Sequence, residues 1–182
     1  PATLLFDTVY SESSAIAIYR VKIEDHTVTV VNQHMESIGL TQTDKELYHE
    51  ITAHPNTDRL DEIKKHLLSK LMNAAEIRNR QTNLTAEKIQ NIPGNIIVCG
   101  DFNDSPLSYS VRKFHSMGFR DAYNKLGLGP GITYHANRFW FRIDHILYKG
   151  NMEARWLVRQ RHKSSDHYPL VTRFVWENSE NH

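Results

Sequence analysis

Apolar and polar positions alternate, run together or space out in ways that predict the elements. Residues 15–24 (Ala-Ile-Ala-Ile-Tyr-Arg-Val-Lys-Ile-Glu) are aliphatic and β-branched enough for a strand. A tight turn is expected at Asp25-His26. A second strand follows over 27–34, with Val28, Val30, Asn32 and His34 on one face, so the pair reads as a hairpin. Residues 36–57 are polar and hold a short helix, opened by Thr43 with Glu46 three residues later. A long helix then starts at Pro55 and Asp58. Its stripe is Leu60, Ile63, Leu67 and Leu71, it weakens past Gln81, and Pro93-Gly94 must end it. Residues 95–99 are apolar throughout, as in a strand buried on both faces. A loop over 100–106, a helix over 107–116 and a glycine-rich coil over 126–131 come next. Strands are expected over 132–135, 139–148, 153–161 and 168–176, with a frayed tail at 177–182. This order fits a mixed α/β fold with sheets covered by helices, and it argues against a helical bundle.

Composition narrows the class. The chain has 182 residues, 40% hydrophobic and 24% charged, which excludes collagen-like, low-complexity and wholly disordered readings. No stretch is long and apolar enough to cross a bilayer, and the start lacks a basic-then-apolar signal pattern. One cysteine rules out a disulfide framework and a thiolate zinc cluster. The formal net charge is +1, which gives no support to non-specific polyanion binding. Its distribution is uneven. Residues 1–62 hold four basic and eleven acidic side chains, whereas residues 138–163 hold seven basic ones against Asp144 and Glu153. That second run reads either as a solvated face or as a positive field beside a phosphate-ester site.

Candidate chemistry sits where strands end. Gly100-Asp101-Phe102-Asn103 places a carboxylate and an amide at a loop mouth, although the same residues are turn formers. Asp144, in Arg142-Ile143-Asp144-His145, lies in an apolar aromatic strand. A buried carboxylate needs a partner, either an arginine or a histidine that it orients. Ser165-Asp166-His167 puts an acid beside an imidazole that can donate or accept a proton near neutrality. His34 closes the second strand, where a lone histidine is more often structural than catalytic.

Taken in order, Asn32-x-His34, Gly100-Asp101-Phe102-Asn103, Ile143-Asp144-His145-Ile146 and Ser165-Asp166-His167 resemble the endonuclease/exonuclease/phosphatase superfamily. Deoxyribonuclease I, apurinic endonucleases, sphingomyelinases and inositol polyphosphate 5-phosphatases belong to it. The resemblance runs from about Ala15 to Trp176, and Arg78-Asn79-Arg80-Gln81 looks like the family's Arg-x-x-Gln. It implies a four-layer α/β sandwich of the deoxyribonuclease I-like type, with the site at the strand ends. It implies hydrolysis of a phosphate ester by activated water with Mg²⁺ or Mn²⁺. By resemblance, Asp101 activates or orients the water and Asn103 positions the phosphate. His34 and His167 contact phosphate oxygens, Asp144 hydrogen-bonds His167, and Asp166 lies at the metal site. Asn32, Arg78 and Arg142 join Asn103 as substrate contacts.

One departure matters. The family's metal-binding Glu belongs to a Leu-Gln-Glu-like strand, and no such segment precedes His34. Together with Pro1 as first residue, this gives the expectation that the chain is the C-terminal portion of a larger bacterial domain, inactive by itself and prone to self-association. The substrate stays open among nucleic acid, phospholipid headgroup and small ester. The cellular side is open too, since some bacterial relatives look membrane-anchored with the domain outside. The alternative function is a binding domain that keeps the fold without turnover. A Ser/His/Asp hydrolase is disfavoured because no Gly-x-Ser-x-Gly elbow occurs.

Overall fold

Three antiparallel strands open the chain in the computed structural model, which describes residues 1–53, 60–136, 139–161 and 164–177. They are β1 (Ala2–Ser11), β2 (Ser14–Ile23) and β3 (His26–His34). The β2–β3 hairpin is the expected one, but its turn is Glu24-Asp25 and His26 already belongs to β3. Glu24 takes a φ of +52° there. β1 was not expected. It lies at the sheet edge with most of its side chains exposed, so burial leaves only a faint pattern in it.

Helix α1 (Gln42–Ala53) starts on a capping box placed two residues before the expected one. The Thr41 N–H donates to the Asp44 carboxylate at 2.7 Å, and the Asp44 N–H donates to Thr41 Oγ1 at 3.2 Å. Asp44 takes this position because α2 (Leu60–Ile89) supplies partners for it, Lys70 Nζ at 2.5 Å and His66 Nε2 at 2.8 Å. These contacts hold the Asp44 carboxyl far below the usual range, Lys70 contributing most. Pro55 and Asp58, expected to begin α2, lie outside the described residues, as do Arg138, Lys163 and the tail from residue 178.

α2 passes Gln81 without a break. Its second half buries Arg78, Gln81, Thr82 and Thr85 along with Ala74, Ala86 and Ile89, so hydrogen bonds carry the stripe where apolar residues thin out. In the first half Ile63 and Leu67 are buried, while Leu71 is exposed.

β4 (Asn95–Asp101) follows, then α3 (Tyr109–Ser116), whose N-cap Ser108 accepts from the Val111 N–H. Two short elements escape sequence periodicity: β5 (Arg120–Asp121) and α4 (Ala122–Leu126), the latter capped by the Asp121 side chain. The strands expected over 132–135 and 139–148 reduce to isolated bridges from Tyr134 to Phe141 and to His167, and to β6 (Asp144–Lys149). β7 (Met152–Arg159) and β8 (Leu170–Trp176) close the chain.

The main sheet has six strands in the order β1-β2-β3-β4-β6-β5, with β3 and β4 parallel and the other neighbours antiparallel. Alternation along β4 and β6 sends Ile96, Val98 and Leu147 to one face, where they pack with Ile89 of α2 and Val111 and Phe114 of α3. Ile97, Ile146 and Tyr148 go to the other face, against Met152 and Ala154 of β7 and Phe174 and Trp176 of β8. Trp176 also stacks on His26 at 4.0 Å. The fold is therefore mixed α/β: a central sheet with helices on one face and a β-ribbon on the other. Among the described residues, no helix is long and apolar enough to cross a membrane.

Candidate active site

Strand register builds the site. His34 is the Cα partner of Asp101 across β3–β4, and Asp101 is the Cα partner of Asp144 across β4–β6. Three adjacent strands thus end at one level, each presenting a titratable side chain. His34 Nε2 lies 3.5 Å from Asp101 Oδ2. His167, in the loop before β8, meets Asp144 through Nδ1 at 2.8 Å, and its Nε2 lies 3.8 Å from Asp101 Oδ2.

Local backbone holds this arrangement. Gly100 has a φ of +132°, and a Cβ there would sit 1.9 Å from the Gln33 carbonyl oxygen, so only glycine lets β4 close on β3 at this point. Asn103 takes a φ of +48°, in the left-handed region that Asn tolerates. Its N–H donates to Asp101 Oδ1 at 2.7 Å and its side-chain amide donates to the Met35 carbonyl at 2.9 Å. Opposite, Thr133 is fully buried, and its Oγ1 accepts the N–H groups of Ile143 and Asp144, each at 3.1 Å. Tyr168 N–H donates to the Thr133 carbonyl at 2.7 Å, tying the His167 loop to the same segment.

The electrostatics follow from these contacts. Burial pushes the Asp101 carboxyl above its ordinary value, against the Asn103 N–H and with a further push from Asp144. The hydrogen bond from Asp144 pushes His167 up, with burial opposing. His167 is thus biased toward imidazolium beside an acid biased toward its neutral form. Together they can exchange a proton with a bound group. His145 is different. It is buried against Phe102, donates from Nε2 to the Asp104 carbonyl at 2.9 Å, and is held below the usual imidazole range by burial.

Two arginines do not reach the cavity. Arg78 is buried, with Nε 3.1 Å from Asp104 Oδ2 and Nη1 donating to the Glu36 carbonyl at 3.1 Å. Gln81 accepts the Glu36 N–H at 2.9 Å. The Arg-x-x-Gln pair therefore clamps the loops after β3 and β4, which corrects the expectation that Arg78 touches substrate. Arg142 is buried too. It pairs with Asp121 at 3.0 Å, donates to Asn124 at 2.8 Å and lies over the Tyr123 ring, so its expected substrate contact is likewise replaced by an internal one. Asn32 stands on the face of His34 but is not among the residues lining the cavity.

The cavity in front of these strand ends has a volume of about 510 Å³. His34, Asp101, Asn103, Asp166 and His167 line it, together with residues from α1, from α2 and from the segment 134–143. Among the described residues, ligand atoms of Asp101, Asp144 and His167 lie within 4.8 Å of one another, and Asp166 stands apart from this cluster. The two carboxylates are oxygen donors that fit a hard divalent cation, whereas the His167 imidazole is committed to Asp144. Thr133 was not anticipated as a positioning residue, because its segment reads in the sequence only as a short strand over 132–135.

Residues 23–167 match the Endonuclease/Exonuclease/phosphatase family. The chain belongs to that family. Its members are mostly hydrolases of phosphoesters and generally use divalent metal ions. No curated protein matches the chain by sequence. Solved structures share the fold at low identity. A functionally unknown conserved protein from Enterococcus faecalis V583 is 12% identical, with 97% of this chain and 68% of that one covered and a TM-score of 0.61. The human Nocturnin catalytic domain with bound sulfate anion is 16% identical, with coverage of 96% and 60% and a TM-score of 0.57. D. rerio TDP2 complexed with single-strand DNA product is 15% identical, with coverage of 96% and 68% and a TM-score of 0.57. The chain thus spans between 60% and 68% of the length of these family folds.

Proposed function

We propose that this chain carries the phosphoester-hydrolysing site of a divalent-metal-dependent enzyme. The observation that supports this most is the convergence of His34, Asp101 and Asp144 at one level of three strands, with His167 locked to Asp144 at 2.8 Å. Asp101, with its carboxyl raised by burial, orients the attacking water and takes its proton. Asp144 fixes His167 by Nδ1, which leaves Nε2 turned toward Asp101 and the phosphoryl oxygens. His34 and His167 donate to those oxygens as charge builds on them. Asn103 positions the ester at the cavity mouth.

Asp101 and Asp144, whose carboxylates cluster, would hold Mg²⁺ or Mn²⁺, with Asp166 on the cavity wall adding negative charge, and the ion would stabilise negative charge on the phosphoryl group. No counterpart of the family's Leu-Gln-Glu-like acid is found among the described residues lining the cavity. Weak metal affinity and low turnover are therefore expected of this chain.

The test is hydrolysis of bis(p-nitrophenyl) phosphate by the chain with and without Mg²⁺. Asp101→Asn and His167→Ala should each lower kcat at least about 100-fold with circular dichroism unchanged. Full activity in Asp101→Asn would sink the assignment. Sedimentation at rising concentration checks the expected pairing of chains along edge strand β1, which exposes Leu4, Leu5 and Val9. A monomer throughout would end that expectation.

A further inference from the structure

We infer that the ester taken by this site is a small molecule bearing one uncharged aromatic group, packed against an aromatic wall that starts at His167. This inference rests on the phosphoester reading above and goes on to name the substrate class. The edge of the Tyr134 ring meets the His167 ring at 5.1 Å between centroids. Tyr134 is bridged through its backbone to Phe141, whose ring stacks on Phe139 at 5.9 Å. Phe139 in turn meets Tyr48 of α1 at 4.8 Å. Aromatic side chains thus stand at intervals from the imidazole to the helix, with a backbone bridge as the link between Tyr134 and Phe141. Leu67 and Leu71 of α2 line the same cavity. Phe141 is 51% exposed and Tyr48 36% exposed, so apolar surface stands open to water beside a polar cluster. Concave apolar surface with a few converging polar groups is the usual form of a small-molecule site, and about 510 Å³ suits one.

The charge of the described cavity lining favours a small ester over a nucleic-acid strand. A nucleic-acid strand carries a phosphate on every nucleotide, and its binders supply several Lys or Arg contacts. Lys45 is the one lysine or arginine among the described residues lining this cavity. Arg78 and Arg142 are paired inside the protein. One anionic group and one ring match what the cavity offers.

Titration calorimetry of the chain in Mg²⁺ with phenylphosphonate and methylphosphonate tests this. The two probes share the anionic head and differ in the ring. Phenylphosphonate should bind at least about tenfold tighter. Phe141→Ala and Tyr48→Ala should each reduce that ratio while leaving methylphosphonate affinity unchanged. Equal affinities that His167→Ala abolishes would overturn the aromatic inference and leave the phosphoester reading standing. Tighter binding of a single-stranded oligonucleotide or of phosphatidylcholine vesicles, insensitive to Phe141→Ala, would overturn it in the same way. Failure of both phosphonates to bind would overturn the phosphoester reading and this inference together.

Discussion

Arg142→Ala should unfold this protein more readily without touching the chemistry. In the structure the Arg142 and Asp121 side chains are 4% and 0% exposed and their charged atoms lie 3.0 Å apart. Removing the guanidinium leaves a buried carboxylate without its counter-ion, a change that costs about 3–5 kcal/mol. Asp121 keeps two donors, the N–H groups of Tyr123 at 2.8 Å and Asn124 at 3.3 Å, so the loss should fall near the lower bound. With a urea slope of about 2 kcal/mol per molar, about 3 kcal/mol moves the midpoint down by about 1.5 M. Tryptophan fluorescence in a urea series measures it. Arg155→Ala, at an exposed position of β7, serves as the control and should stay within about 0.5 kcal/mol. Phosphonate affinity at low urea should match the parent chain. A midpoint shift below about 0.5 M, combined with a large loss of phosphonate affinity, would refute the reasoning and return Arg142 to the substrate.

Other expectations concern the site's supports. Gly100→Ala places a Cβ 1.9 Å from the Gln33 carbonyl at a positive φ, and should cost at least about 2 kcal/mol by urea unfolding. Thr133→Val removes the acceptor for two buried N–H groups, at about 1–3 kcal/mol, and should shift the His167 imidazole resonances; an unchanged spectrum would show that Thr133 does not position Asp144. His167 is raised above its ordinary value of 6.5 chiefly by the Asp144 hydrogen bond. The stability this contributes is complete below the unfolded value and is lost as pH rises through the folded one. Asp144→Asn should lower the His167 midpoint in an NMR titration and flatten that part of the stability curve. An unmoved midpoint would contradict the dyad.

Much of this fold was legible because burial writes itself as alternation. The β2–β3 hairpin, the apolar β4 and the four motif segments all emerged from the residues. What stayed hidden has physical causes. β1 is an edge strand with little burial to mark it, and β5 has two residues and no room for a period. The far half of α2 buries Thr82 and Thr85, whose hydroxyls bond back to the carbonyls of Arg78 and Gln81. Hydrophobic periodicity cannot register such a face. The basic run at 138–163 left two readings open for another reason. A count of charges has no direction, and Arg142 points into the protein while Arg159 donates to the Ile132 carbonyl. The aromatic wall was invisible because Tyr48 of α1 is far in the chain from Tyr134, Phe139 and Phe141, and only the fold sets them around one cavity.

The parallel pairing of β3 with β4 makes the site a proofreader of its own folding. These strands are joined by a long crossover through α1 and α2, so their contact forms after a costly loop closure. A slip of one residue would turn the β3 side chains over and put Gln33 level with Asp101. A slip of two would keep the face but move His34 by roughly 7 Å along the strand and bring in Asn32 instead. Either chain could retain its helices and most of its secondary structure. Neither would bring an imidazole beside Asp101 from β3, so the His34–Asp101 encounter separates the native register from its soluble near-misses.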